Sequence, residues 1–506
     1  MFATALIFAC GSLFVQTESA GPVSFQKAVA KSPAPGTIFL YPERIPLKEG
    51  GFAVAERGMM FVPANRSDPN GSVIGIEVYR FKASKKAKPG TPPIFYLHGG
   101  PRFGGLERSL ERLGTYEERW RPLSDISDVV VVGQRGIGSS KPNTIIETTT
   151  NFPLDREVTE EEAAAALREA CEKERAFWEA QGIDLSGLTV VEAAADVNDV
   201  RKVLGYEKVI IWGGSFGSHW GMAIMRAYPD IVERAIMRGM EGPNHTYDHP
   251  GHLWNVYKRV AAEAEKAPEL QGLIPEGRLI EAVKTVIDRV EKKPVKVMVS
   301  DPKTGKSQDV LFTVREVRRL VRGYSGGLPG WPANVITLYA GDFSKAAERA
   351  LQRQGLRRFG TASYYMLDHG SGITPEREAE LKSDPAVEIL GDINANYTIT
   401  REVWKSDLGD EFRQNFETDI PTVIVHGTWD TKTPYENALE LVPFFKNSKF
   451  IPVIRGPHGA IRAAMRVSEP FRKGIFHFAA TGDISALPDK VEMPPVEWIV
   501  PEFTKK

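Results

Sequence analysis

A serine hydroxyl is a weak nucleophile at neutral pH. To attack a carbonyl it needs a base, the base needs an acid to orient it, and the oxyanion that forms needs hydrogen-bond donors. The sequence offers a candidate for each part at the end of an apolar run. Val209-Ile210-Ile211-Trp212 breaks into Gly213-Gly214-Ser215-Phe216-Gly217, followed by a segment of helical type, Met222 to Tyr228, that stops at Pro229. Gly-x-Ser-x-Gly between a strand and a helix makes a turn so tight that only glycine tolerates the crowding on either side, and the serine hydroxyl is lifted clear of the sheet. Asp430 follows the run 422–425 and His458 follows the run 450–454, with room between them for one helix and one strand. His98-Gly99-Gly100-Pro101 follows Pro93–Leu97, and its glycines let backbone N–H groups face a reacting carbonyl; Gly100 and Phe216 are the expected donors.

Each of these has a plainer reading. The pentapeptide can be an ordinary Gly-rich turn, Asp430 an Asx-turn or cap before Thr431-Lys432-Thr433-Pro434, and His458 a turn residue beside Gly459. With nine histidines in the chain, one at a loop says little by itself. His98 and His426 also stand at strand ends, but each leads a Gly-containing turn on the wrong side of the order Ser, acid, His, so they are read as loop-ordering side chains. Glu436 is the poorer acid because it falls inside the helix after Asp430.

The elements that must position these residues follow from hydrophobic periodicity. Segments 52–62 and 73–81 read as an antiparallel opening around a Pro63-to-Gly71 turn, after a Pro-, Gly- and Lys-rich arm over 21–50. The short apolar runs 93–97, 129–132, 209–212, 235–237, 422–425 and 450–454 are what strands covered on both faces look like. Helical patterns over 158–181 and 190–204 precede the elbow strand, and this alternation argues a mostly parallel sheet with crossover helices on both faces. From Glu241 to Thr418 the pattern is mostly helical, near 254–267, 276–292, 314–323, 335–354 and 374–383, with one hairpin over 295–299 and 310–313. The expected division is a leader over 1–20, a core in two parts over 21–240 and 419–506, and a helical cap over 241–418. The chain order Ser, acid, His on such a core is that of an α/β-hydrolase fold.

The formal net charge of −1, with no long block of one sign, gives no reason to expect nucleic acid or an anionic membrane surface as partner. No His, Cys or Asp cluster has ligand spacing, so neither a metal nor an organic cofactor is implied. Residues 2–15 are almost wholly apolar and are followed by Gln16-Thr17-Glu18-Ser19-Ala20, which suits export with cleavage near Ser19 or Ala20, although no Lys or Arg precedes the run. A lipid anchor at Cys10 fits less well because Phe8 is a poor match to the cleavage pattern. No other stretch is apolar over a membrane-spanning length. Of the two cysteines, Cys171 lies in a charged helical stretch and reads as a packed or partly exposed thiol.

The set HGGP at 98–101, GQRGIGSS at 133–140, GGSFG at 213–217, GTWDTKTPYENA at 427–438 and GPHG at 456–459 resembles the prolyl-aminopeptidase family of α/β-hydrolases, particularly its larger, secreted tripeptidyl-aminopeptidase-like branch. GSGITPERE at 370–378 and DLGDEFR at 407–413 resemble that branch too. The resemblance implies Ser215, Asp430 and His458 as a catalytic triad, Gly100 and Phe216 as oxyanion donors, and release of an N-terminal amino acid or short peptide under a cap. Two positions depart from the family: Arg102 replaces the glycine of HGGPG, and Gly133 replaces the aspartate of DQRG, removing an acid that could order Arg135. An aminopeptidase also needs an anion for the substrate ammonium, and Glu241, with Asp248 behind it, is the candidate against the plainer reading of a solvated hinge carboxylate. Trp220, Trp254 and Trp331 can line an apolar pocket or simply be core. The same machinery serves a carboxylic-ester hydrolase, and the fold can also persist as a binding module without turnover.

Overall fold

The computed structural model describes residues 15–16, 33–101, 116–145, 148–150, 152–300, 305–323, 327–353, 357–359 and 362–504. Apart from Val15 and Gln16 the expected leader lies outside the described residues, as do Cys10, the cleavage positions and Arg102.

The strands are β1 (Val15–Gln16), β2 (Ile38–Pro46), β3 (Phe52–Pro63), β4 (Val73–Phe81), β5 (Ile94–Leu97), β6 (Val129–Val132), β7 (Thr148–Thr150), β8 (Val209–Gly214), β9 (Val232–Arg238), β10 (Val295–Ser300), β11 (Ser307–Phe312), β12 (Arg357–Phe359), β13 (Thr422–Gly427), β14 (Ser448–Ile454) and β15 (Val491–Glu492). Eleven of them form one sheet in the order β1-β2-β3-β4-β6-β5-β8-β9-β13-β14-β15. β2, β3, β4 and β6 pair antiparallel in turn, and from β6 to β15 every pairing is parallel. β5, β6 and β8 are buried along their whole length, as expected of strands with helices over both faces.

The period-2 alternation of these strands divides two cores. Phe95, Leu97, Val130, Val132 and Ile211 face one side, under the helices Val190–Val203 and Phe216–Ala227. Ile94, Tyr96, Val129, Val131, Ile210 and Trp212 face the other, under Tyr116–Ser124, Ala460–Val467 and Glu469–Thr481. The helix Val190–Val203 starts where the Thr189 hydroxyl accepts the Glu192 N–H, and Pro229 closes the region after Phe216–Ala227 because it cannot donate to a continuing helix.

Between β9 and β13 the chain adds no strand to the main sheet among the described residues. It forms the antiparallel pair β10 and β11 and a helical layer with its own core, in which Leu279–Lys292 buries Leu279, Ala282, Val283, Val286, Ile287 and Val290 at helical spacing. Removing one such side chain costs about 2–5 kcal/mol through lost burial and the cavity left behind. Trp220, Trp254 and Trp331 are buried core side chains.

Three expectations change. Ile38–Pro46, read as part of an arm, is a strand; Pro42 and Pro46 and its half-exposed face obscured it, and both prolines are tolerated near the sheet's edge. The pattern over 335–354 is two helices, Trp331–Tyr339 and Ser344–Gln352, broken at Gly341, whose φ is +84°. The helix Glu160–Ala180, expected as a crossover on the sheet, instead buries Leu167, Cys171 and Trp178 with Tyr365, Met366, Val403 and Trp404. Its charged outer face pairs Arg168 with Glu402 at 2.6 Å.

Candidate functional site

β8 ends at Gly214, and Ser215 carries φ +57° and ψ −137°, a backbone state that costs an ordinary side chain about 1–3 kcal/mol and persists only where the surroundings enforce it. The enforcement is visible. Ser215 N–H donates to the Arg238 carbonyl at 3.1 Å, and the next turn is closed by Ser218 N–H on the Ser215 carbonyl at 2.6 Å. An added Cβ at Gly213 would stand 2.4 Å from the Gly217 carbonyl oxygen, and one at Gly217 2.1 Å from the Leu97 carbonyl oxygen, so both glycines of the motif are required by backbone contact. Phe216 is the first residue of its helix, and its N–H is among those that lack an intrahelical acceptor. Gly99 of the loop after β5 closes over the serine: a Cβ there would lie 3.0 Å from Ser215 Cβ and 3.5 Å from Oγ. Gly100, beside it, has φ +131°.

Asp430 and His458, at the ends of the neighbouring strands β13 and β14, meet. His458 Nδ1 lies 2.8 Å from Asp430 Oδ2 and 3.0 Å from Oδ1. The buried carboxylate also accepts the N–H of Lys432 at 2.8 Å, the N–H of Thr433 at 3.0 Å and the Thr433 hydroxyl at 2.8 Å. Burial alone would raise the Asp430 carboxyl, but the charge and hydrogen bond of His458, with the charge of His426 and the Thr433 N–H, hold it at about 2. The His458 imidazole packs on Gly239, where a Cβ would come 3.0 Å from Cε1. The His458 carbonyl accepts Arg238 Nη1 at 3.1 Å.

The remaining strand-end residues are engaged locally. His98 Nδ1 sits 2.9 Å from the Gly99 carbonyl, and His426 Nδ1 sits 3.3 Å from the Gly427 carbonyl. Glu436 pairs with Arg259 at 2.7 Å. Gly133 is forced by its neighbours, because a Cβ would stand 2.9 Å from the Glu77 carbonyl oxygen. The acid missing at that position is supplied from elsewhere: Asp196, on Val190–Val203, takes Arg135 Nε at 2.6 Å and Nη2 at 2.7 Å, and the carbonyls of Ala64, Gly187 and Pro63 accept the rest of the guanidinium.

Glu241 is buried and tied to the elbow. Its N–H donates to Ser218 Oγ at 3.1 Å, and the same Oγ lies 2.7 Å from the Ser215 carbonyl and 3.2 Å from the Gly239 carbonyl. Burial pushes its carboxyl well up, helped by the charge of Asp368, a hydrogen bond to that carboxyl, and the charge of Asp248. Asp368 is raised chiefly by its own burial. Asp248 is raised to about 6 by burial, offset in part by Lys432 and Arg322. Two buried carboxyls close together cannot both ionise at low cost, in line with the upward direction of both. Glu241 Oε1 and Asp368 Oδ1 are buried without a hydrogen-bond partner among the described residues, as are the Tyr247 hydroxyl and His369 Nε2, whose rings both pack on Tyr397. Asp368, Tyr247 and His369 escaped the sequence reading; the only signal is an Asp-His pair after the apolar run Tyr364-Tyr365-Met366-Leu367.

Among the described residues no group of three His, Cys, Asp or Glu side chains is placed to hold a metal ion, and no helix is long and apolar enough to cross a membrane. Cys171 is a buried thiol raised by that burial to about 12.

A search of curated proteins finds similarity to the proline iminopeptidase of Neisseria meningitidis, 24% identical over 164 residues, covering 32% of this chain and 37% of that protein. The tripeptidyl aminopeptidase of Streptomyces coelicolor is 26% identical over 191 residues, covering 37% and 35%. The serine protease Hip1 of Mycobacterium tuberculosis is 26% identical over 195 residues, covering 37% and 36%. The matches thus span little more than a third of these relatives' lengths. Among solved structures, the proline iminopeptidase-related protein of Thermus thermophilus aligns with a TM-score of 0.36 and 15% identity over 85% of this chain and 99% of that one. The family described as alpha/beta hydrolase fold matches residues 92–461, from just before β5 to just past His458, and the chain belongs to that family.

Proposed function

We propose that the protein is a serine hydrolase that works through an acyl-enzyme and takes substrates with a free N-terminal ammonium, as an aminopeptidase does. Ser215 Oγ attacks the scissile carbonyl, His458 Nε2 takes its proton and returns it to the leaving amine, and Asp430 holds the imidazole through Nδ1–H. The N–H groups of Gly100 and Phe216 receive the oxyanion. Water then resolves the ester by the same base. The names of the similar proteins, proline iminopeptidase and tripeptidyl aminopeptidase, agree with a peptidase of this type.

The observation that carries the choice of substrate is the buried carboxyl group pair of Glu241 and Asp368, with oxygens left unpartnered among the described residues, on a backbone that Ser218 ties to the elbow through the Glu241 N–H. Buried carboxylate oxygens without donors cost several kcal/mol in desolvation. A substrate ammonium brings three donors and a positive charge, and it lowers the cost of ionising both carboxyls. An ester substrate without an amino group leaves that cost in place.

The test compares kcat/KM on aminoacyl amides with free and with acetylated amino groups. Acetylation should lower it at least about 100-fold, as expected when a site built for hydrogen bonds meets an analogue that cannot supply them. Glu241→Gln and Asp368→Asn should each erase most of that preference, while a fluorophosphonate probe still labels Ser215. Equal rates on the two substrates would overturn the ammonium requirement, and a higher kcat/KM on simple esters than on either amide would then favour the ester-hydrolase reading. Absence of labelling in the folded protein would leave the binding-module reading. Export, expected from residues 2–20, belongs to the same proposal and is checked by N-terminal sequencing of the protein recovered outside the cytoplasm.

A further inference from the structure

On the other side of the elbow a cavity of about 200 Å³ is lined by Tyr96, Trp212, Arg119, Arg238, Gly459 and Arg462, with Glu118 at its rim. It lies on the sheet face that carries Tyr96 and Trp212, under the helices Tyr116–Ser124 and Ala460–Val467. Its chemistry is distinctive, because three half-buried guanidinium groups converge there and none is paired with a carboxylate among the described residues.

Arg119 lies over the Tyr96 ring, 4.7 Å from its centroid, with Nη2 on the Tyr96 hydroxyl, and its Nε is buried without a hydrogen-bond partner among the described residues. Arg238 lies across Gly214, where a Cβ would come 2.7 Å from its Cζ, and the one hydrogen bond of its side chain among the described residues goes to the His458 carbonyl. Arg462 forms no ion pair among the described residues. The carboxylate at the rim, Glu118, is half exposed and holds Lys48 Nζ at 2.5 Å. Asp430 attracts Arg238 but is spent on His458 and Thr433. Burial, then the charges of Arg238 and Arg462, push the Arg119 guanidinium down to about 9, so it remains a cation at neutral pH. Like charges gathered in a partly enclosed space repel, and an anion bound between them replaces that repulsion with attraction. Guanidinium forks also match the planar or tetrahedral oxygens of carboxylate and phosphate groups.

We propose that this cavity is an oxyanion-binding site in which Arg119, Arg238 and Arg462 hold a carboxylate or phosphate group beside the backbone of His458. The site is separate from the proposed ammonium site, and anion binding does not depend on that reading; only its assignment to a substrate carboxylate rests on the peptidase reading. Two sources supply such a group, a free anion or the carboxylate of a short peptide substrate.

The test is calorimetric titration of the full chain with inorganic phosphate and with acetate, on wild type, Arg462→Gln and Arg119→Gln, with far-ultraviolet circular dichroism to verify folding. Saturable binding to wild type that weakens at least tenfold in Arg462→Gln is the expected result. Arg462 is only partly buried, so this variant keeps the test decisive if Arg119→Gln does not fold. No saturable binding of either anion, or binding unchanged in the folded variants, overturns the site. The source is then read from KM for peptides with free and amidated C termini. A KM rise in Arg462→Gln confined to the free carboxylate assigns the site to substrate. Equal KM values, with phosphate binding lost, assign it to a free anion.

Discussion

At Gly239 the backbone has φ +51°, and an added Cβ would stand 3.0 Å from His458 Cε1 and 2.9 Å from Thr433 Oγ1. Gly239→Ala should therefore do two things: cost about 1–2 kcal/mol for an L side chain in the left-handed region, and push the imidazole from its place. A displacement near 1 Å at a reacting group lowers kcat on the order of 100-fold. Steady-state kinetics with unfolding in urea separate the two, since a purely structural loss leaves kcat of the folded fraction unchanged. The pairing of Asp430 with His458 was legible because each residue ends an apolar run, and strand ends on one edge of a parallel sheet converge. Asp368 was not legible, because a single carboxyl in a helical stretch declares itself only when folding buries it against Glu241.

At the scale of the element, the helix Val190–Val203 does more than cover the sheet. Through Asp196 it neutralises Arg135, whose side chain is fully buried, and it also binds Arg66 Nη2 at 2.8 Å. Glu192, 3.1 Å from Arg135 Nη2, keeps part of the Arg135 charge compensated, so Asp196→Ala should destabilise the protein by about 1–3 kcal/mol, the cost of leaving the buried guanidinium N–H groups without their acceptor, in chemical denaturation. Asp196→Ala with Arg135→Met should recover part of that loss. The helix itself was plain in the sequence from Val190, Ala193, Val197 and Val200, but its charge partner was not. Arg135 and Asp196 are 61 residues apart, and no local pattern joins them. The same limit explains Glu160–Ala180: its periodicity gives a helix, whereas the surface it packs on is chosen by Tyr365, Met366, Val403 and Trp404, far along the chain.

Across the whole molecule, the helical layer between β9 and β13 is fastened to the sheet domain by charge. Glu440, on the helix Tyr435–Leu441, meets His245 Nε2 at 2.8 Å and Arg377 Nη1 at 3.0 Å, both from the helical layer. Burial alone would raise its carboxyl from 4.5, but the hydrogen bond and charge of His245 with the charges of Arg377 and His252 bring it to about 2. A carboxyl depressed in this way stabilises the contact fully above about pH 4.5 and loses that contribution as pH falls toward 2. Hydrogen exchange should show amides of Pro250–Ala264 losing protection relative to β8 between pH 5 and about pH 3. In Glu440→Gln that difference should be present already at pH 5.

The short segment Arg238–Glu241 leaves β9 and touches every functional part in turn. The Arg238 carbonyl binds Ser215 N–H, its guanidinium binds the His458 carbonyl, Gly239 supports the imidazole, and Glu241 faces Asp368. Four residues of backbone therefore join the arginine-lined cavity to the buried carboxyls of Glu241 and Asp368. Any ligand that shifts this segment from one side alters affinity on the other, and thermodynamic reciprocity makes the two effects equal in size. The strand end is in this sense a partition that transmits: if the proposed anion and ammonium sites are both filled, each registers the other by the same factor.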